Sequence, residues 1–104
     1  MGVPRYTTPT FTLTFAETEA VDLTQATNVY VTLSGLGGKI TKTGEDLVVA
    51  AKSVSVKLTQ AETGSLGTGD VRIQVNWTDE LGNRAASEIA VASITEQLLA
   101  EVVP

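Results

Sequence analysis

Val71-Arg72-Ile73-Gln74-Val75-Asn76-Trp77-Thr78 is the stretch that decides the fold. Val71, Ile73, Val75 and Trp77 occupy every second position, with a charged, amide or hydroxyl residue between each pair. Four consecutive apolar residues at period two place one side of an extended chain in a core and the other in water. A helix would scatter the same residues around its circumference. Thr10-Phe11-Thr12-Leu13-Thr14-Phe15 repeats the arrangement, with Phe11, Leu13 and Phe15 inward and β-branched threonines outward. Val29, Val31 and Leu33 alternate within Asn28 to Ser34, and Val54, Val56 and Leu58 within the segment that follows Ser53.

Shorter strands are expected at Lys39 to Lys42, Leu47 to Val49 and Arg84 to Val91, the last with Ala85, Ser87, Ile89 and Val91 on one face. Ser34-Gly35-Leu36-Gly37-Gly38, Lys42-Thr43-Gly44-Glu45-Asp46 and Thr78-Asp79-Glu80-Leu81-Gly82-Asn83 are the turns between them. Gly82 or Asn83 supplies the positive φ of the last. About seven short strands at such spacing make an all-β sandwich or barrel.

Two segments depart from period two. Thr59-Gln60-Ala61-Glu62 has the spacing of a capping box, and Leu66-Gly67 would close a one-turn helix over 59–66. Ser93-Ile94-Thr95-Glu96 repeats that spacing, and Ile94, Leu98, Leu99, Val102 and Val103 then recur at helical intervals. The expectation there is a short C-terminal amphipathic helix, against an edge strand through Leu98 to Val103. The domain organisation that follows is an extended arm over 1–9, marked by Pro4 and Pro9, a β-domain over 10–92 and an amphipathic segment over 93–104.

A chain of 104 residues fits one domain. It has no cysteine, which removes disulfides, thiolate metal sites and a cysteine nucleophile. It has no histidine, the commonest general base and metal ligand at neutral pH. Twelve acidic and seven basic residues give a net charge of −5 with no basic cluster, which argues against a nucleic-acid partner. No apolar run reaches the roughly 20 residues of a membrane-spanning helix. The N-terminus lacks the basic-then-apolar layout of a signal peptide, and its Met1 start reads as that of a complete small reading frame made without secretion.

Candidate chemistry is sparse. Glu17 and Glu19 could pair as in glycosidases, although a solvated turn explains them as well. Asp79, Glu80 and Asn83 gather oxygen ligands on one loop but do not match an EF-hand. Gly35-Leu36-Gly37-Gly38 lacks the spacing of a phosphate-binding loop. The parity of Trp77 assigns it to the core, while Tyr30 faces the other way, as a contact residue or simply as a good strand residue. No catalytic, cofactor or metal site is expected, and the chain is not read as an enzyme. The candidate functional residues are Ile94, Leu98, Leu99 and Val102, an apolar stripe that either packs back on the domain or forms an interface.

Three segments carry a family resemblance: Asp22-Leu23-Thr24-Gln25-Ala26, Leu58-Thr59-Gln60-Ala61-Glu62-Thr63 with Leu66, and Gly69 to Val75 continued by Trp77 to Asn83. In order and spacing they resemble the immunoglobulin-like domain of phage and prophage tail or baseplate proteins, similar to the N-terminal domain of baseplate upper proteins. The resemblance spans residues 10 to 91. It implies an immunoglobulin-like β-sandwich acting as a structural part of a virion or of its assembly in the host cytoplasm. The implied partners are other phage structural proteins, or further copies of the chain in a homo-oligomer. The competing expectation is an immunoglobulin-like module that binds carbohydrate or a cell-surface partner.

Overall fold

The computed structural model describes residues 2–16 and 18–104. In chain order its elements are β1 (Gly2–Pro4), β2 (Thr10–Thr14), β3 (Asn28–Ser34), β4 (Lys39–Thr43), β5 (Leu47–Ala50), β6 (Ser53–Lys57), α1 (Gln60–Leu66), β7 (Gly69–Thr78), β8 (Arg84–Ala86) and β9 (Ala90–Thr95). Single 3-10 turns occupy Leu23–Gln25 and Gly44–Asp46. No helix among the described residues is long and apolar enough to cross a membrane.

The protein is all-β, built as two sheets. One runs β1-β9-β7-β3-β4, with β8 also alongside β7; the other runs β2-β6-β5. Every pairing is antiparallel except β1 with β9. The inward residues of both sheets meet in one cluster. Val31 and Leu33 from β3, Val71, Ile73 and Val75 from β7 and Ile94 from β9 share it with Leu47, Val54, Val56, Leu58 and Leu66. Burying a Val or Leu side chain contributes about 1.5–3 kcal/mol each. Leu23 enters the same cluster from a 3-10 turn whose second amide is held by Asp22 (Thr24 N–H to Oδ1, 3.0 Å). Trp77 and Phe15 lie half-buried against it, stacked edge to face at 5.5 Å and 79°.

The capping box at Thr59 forms. Its hydroxyl accepts from the Glu62 N–H at 3.2 Å, and Oε1 of Glu62 accepts from the Thr59 N–H at 2.8 Å. The helix it starts has seven residues, about two turns and not one, and ends at Gly67 with φ +76°. The Gly35–Gly38 turn packs against that end. Gly37 N–H donates to the Leu66 carbonyl at 2.9 Å, and a side chain on Gly37 would collide with the Ser65 carbonyl. Close backbone approach is therefore what these glycines provide.

Three expectations are corrected. Residues Gly2–Pro4 of the expected arm are a strand, paired with Ser93–Thr95. The expected strand over Arg84 to Val91 is two strands separated by a β-bulge. Asn76 opposes Ala86 while Ile73 opposes Ala90, so three steps along β7 match four on its partner. One extra residue reverses which side chains face inward. Ile89 and Val91 are consequently exposed, while Ala92 and Ile94 pack inward. Ser87 sustains the ladder across the bulge: its N–H donates to the Val75 carbonyl at 2.8 Å and its Oγ accepts from the Val75 N–H at 3.0 Å. Third, no C-terminal helix forms. Ser93–Thr95 continue β9, and residues 96–104 have no regular structure. The capping-box spacing at Ser93 is overridden because Ile94 is needed in the core and Ser93 and Thr95 are already paired with β1.

Ser87→Ala removes the acceptor of a central amide while leaving the strand sequence otherwise intact. Urea unfolding is expected to show a loss of about 1–2 kcal/mol; an unchanged midpoint would mean that the Ser87 bridge is not needed.

Candidate functional site

Two of the loop carboxylates, Asp22 and Asp79, are used locally. Glu17 lies outside the described residues, so the Glu17–Glu19 pair is represented by Glu19 alone, whose carbonyl accepts from Lys52 Nζ. Asp22 caps its 3-10 turn. Asp79 closes the β7–β8 hairpin: Oδ1 accepts from the Leu81 and Asn83 N–H groups, both at 2.9 Å, and Oδ2 from the Asn83 amide at 3.1 Å. The bonds from Asn83, its side-chain amide first, hold the Asp79 carboxyl below the usual carboxylate range. Gly82 takes the positive φ, +82°. Among the described residues no group of three or more acidic side chains is placed to hold a metal ion.

The apolar stripe is divided by the fold. Ile94 is 2% exposed in β9, opposite Val3 and Gly69, and belongs to the core. Leu98 is fully exposed, and Leu99 and Val102 are each 57% exposed. These three, on the segment that leaves β9, are what remains of the expected interface.

That segment returns to the start of α1. Gln60 Nε2 donates to the Val103 carbonyl and the Val103 N–H donates to Gln60 Oε1, each at 2.9 Å. One side-chain amide thus takes both backbone groups of one residue, much as a neighbouring strand would. Val102 lines an open groove of about 620 Å³ with Leu58, Ala61, Lys42 and Lys57. The sequence marks Gln60 only as the residue after a helix cap; its grip depends on where the tail returns, which no local signal encodes.

Beside the groove, Lys42 Nζ pairs with Glu62 Oε1 at 2.8 Å. Partial burial alone would raise the Glu62 carboxyl. The hydrogen bond from Lys42, that from the Thr59 N–H and the Lys42 charge together outweigh it, so its pKa is lowered. A second recess, about 390 Å³, lies on the outer face of the larger sheet. Tyr30, Thr32 and Thr41 line it, together with Asn76 and Arg84, whose guanidinium forks Asn76 Oδ1 at 3.1 and 3.2 Å. Tyr30 is half-buried there, on the face opposite Val31.

Comparison with models of protein families, with curated proteins and with solved structures finds no match to this chain.

Gln60→Ala should release the tail without unfolding the sheets. Amide exchange at Val103 is expected to become as fast as in a free peptide, while the core amides keep their protection; a Val103 amide that stays protected would refute the grip. Glu62 stabilises the fold above its ordinary pKa of 4.5, and that contribution fades as pH falls through its lower folded value. Thermal midpoints measured between about pH 5 and pH 3 should therefore fall more steeply for the natural chain than for Glu62→Gln. Parallel profiles would contradict the assignment. Thr59→Ala should cost about 1 kcal/mol at neutral pH.

Proposed function

We propose that this chain is an immunoglobulin-like structural domain of a phage or prophage tail or baseplate, acting by docking and self-association without catalysis. The strand order supports the immunoglobulin-like reading. Taking β2, β6 and β5 as B, E and D, and β9, β7, β3 and β4 as G, F, C and C′, gives a strand order consistent with that architecture, with no strand A beside B among the described residues and with β8 additional. The parallel strand β1 then sits where an A′ strand accompanies G.

The observation that carries the function is the C-terminal tail. Leu98 and Leu99 project from a segment without regular structure that the Gln60 amide pair fastens near its end. Exposed leucines on such a strap suit insertion into an apolar groove of a neighbouring structural protein. The three sequence segments that resemble phage domains add to this: Leu23 plugs the core, the Thr59 box starts α1, and Gly69 to Asn83 form the central strand and its hairpin. Virion and host cytoplasm are the compartments that go with this role.

The Tyr30 recess favours a second reading, an immunoglobulin-like module for carbohydrate or a cell-surface partner. It joins an aromatic ring to an Asn–Arg pair on a polar sheet face. A glycan array decides on this reading, with hits abolished by Tyr30→Ala as the outcome in its favour.

For the leading reading, the test is mass spectrometry of purified particles after prophage induction in the host strain. Peptides of this chain should copurify with tails or baseplates. Their presence only in the soluble fraction would refute the assignment. The tail's part is tested by a chain ending at Gln97, which keeps Ile94 in the core and is expected to be lost from particles.

A further inference from the structure

We infer that β2 is a pairing edge, and that its partner is β2 of a second copy of this chain, joined antiparallel about a twofold axis at Thr12. The inference takes up the self-association part of the reading above and gives it a surface; it does not depend on the assembly being viral.

The edge is open. β2 pairs with β6 on one side and, among the described residues, has no strand on the other. The Leu58 N–H donates to the Pro9 carbonyl and the Phe15 N–H to the Lys52 carbonyl, so the odd-numbered residues of this strand address β6. In an antiparallel ladder alternate residues point their N–H and C=O to opposite sides. Thr10, Thr12 and Thr14 therefore direct three N–H and three C=O groups outward, and no partner for them exists among the described residues.

The edge is also unguarded. Folded proteins blunt exposed edges with charge, proline, bulges or short length. The edge strand β4 carries Lys39 and Lys42, β1 has three residues and ends in Pro4, β8 has three and begins with Arg84, and β5 has four and follows Asp46. β2 has five residues with neither charge nor proline. Pro9, just before it, addresses β6 and leaves the outer edge clear.

The partner follows from the strand itself. Thr-Phe-Thr-Leu-Thr is nearly palindromic about Thr12. A twofold there sets Thr12 against Thr12, Thr10 against Thr14, and Phe11 against Leu13 of the second copy. The three Thr pairs are the residues whose backbone groups point outward, so all six unpaired groups are satisfied across the axis. The strand itself is uncharged, so it brings no like charges to the axis even though each chain carries −5. A groove of about 320 Å³ lies beside the Leu13 to Ala16 end of the edge, lined also by Glu19, Glu88 and the exposed Ile89, and leaves that end uncovered. The product is one continuous sheet of six strands, β5-β6-β2 and its symmetry mate.

The chain's lack of cysteine makes the test direct. In the paired state the two Thr12 Cα atoms would stand about 5.5 Å apart, within the roughly 4.4–6.8 Å span of a disulfide. Thr12→Cys in the full chain should form a disulfide dimer on mild oxidation, and Val48→Cys, exposed on β5, should not. In sedimentation equilibrium the natural chain should dimerise. Thr12→Lys, which sets like charges face to face, should weaken the dimer about tenfold or more while leaving the circular dichroism spectrum unchanged. A chain ending at Gln97 should dimerise like the full chain. A monomer at millimolar concentration, or association untouched by Thr12→Lys, would overturn the pairing. In the first case, recovery of the chain in phage particles would still stand, so the two readings fail separately.

Discussion

Val71, Ile73 and Val75 on β7 form the row on which the other contacts depend. The three are between 0 and 4% exposed, and their strand pairs with β3 on one side and with β8 and β9 on the other. Val31 and Leu33 stand directly opposite Val75 and Ile73, which fixes β3 in register. Leu58 and Leu66, at the two ends of the connection through α1, are buried in the same cluster. Slipping β7 by one residue would turn this row to solvent and the Arg72–Gln74 side inward. The bulge between β8 and β9 is the complementary device. It lets the Thr78 hairpin and the Ile94 strand follow the same neighbour with opposite parity, so that Ile94 reaches the core and β1 finds an edge to join.

Much of this was legible in the residues. Period two places β2, β3, β6 and β7, and the bounds Asn28–Ser34 of β3 are those expected. The Thr59 box and Leu66-Gly67 identify the two ends of α1, and only its description as a single turn falls short of the seven residues it has. The bulge was not legible, because it is one extra residue in Ser87-Glu88-Ile89 with no glycine or proline to announce it. The C-terminus was misleading for a related reason. Thr59-x-x-Glu62 and Ser93-x-x-Glu96 are locally alike, yet only the first precedes a helix. The second contains Ile94, which the core takes, beside residues already paired with Gly2 and Pro4. At the candidate interface the apolar character of Leu98, Leu99 and Val102 could be read directly. Their exposure, and the Gln60 grip beyond them, depend on the path of the tail.

Two kinds of surface follow from the physical account. The tail offers side chains on an irregular backbone, and it can adapt to whatever apolar groove receives it. The β2 edge offers backbone groups in fixed geometry, and it accepts only a strand in matching register. Under the proposed structural role, the edge would join like copies and the tail would hold unlike neighbours. The loop carboxylates Asp22 and Asp79 serve the chain's own turns.

The central claim is that β7 organises the molecule, and residue-resolved amide hydrogen exchange under native conditions tests it most directly. The account predicts that the slowest amides are those of β7 and β3, open only on global unfolding. The Val75 amide should be among them, although its acceptor is a side chain at the bulge. The amides of residues 96 to 102 should exchange fastest. If β7 amides opened at the same low free energy as that tail, the central row would not be holding the sheets together, and the account would be wrong.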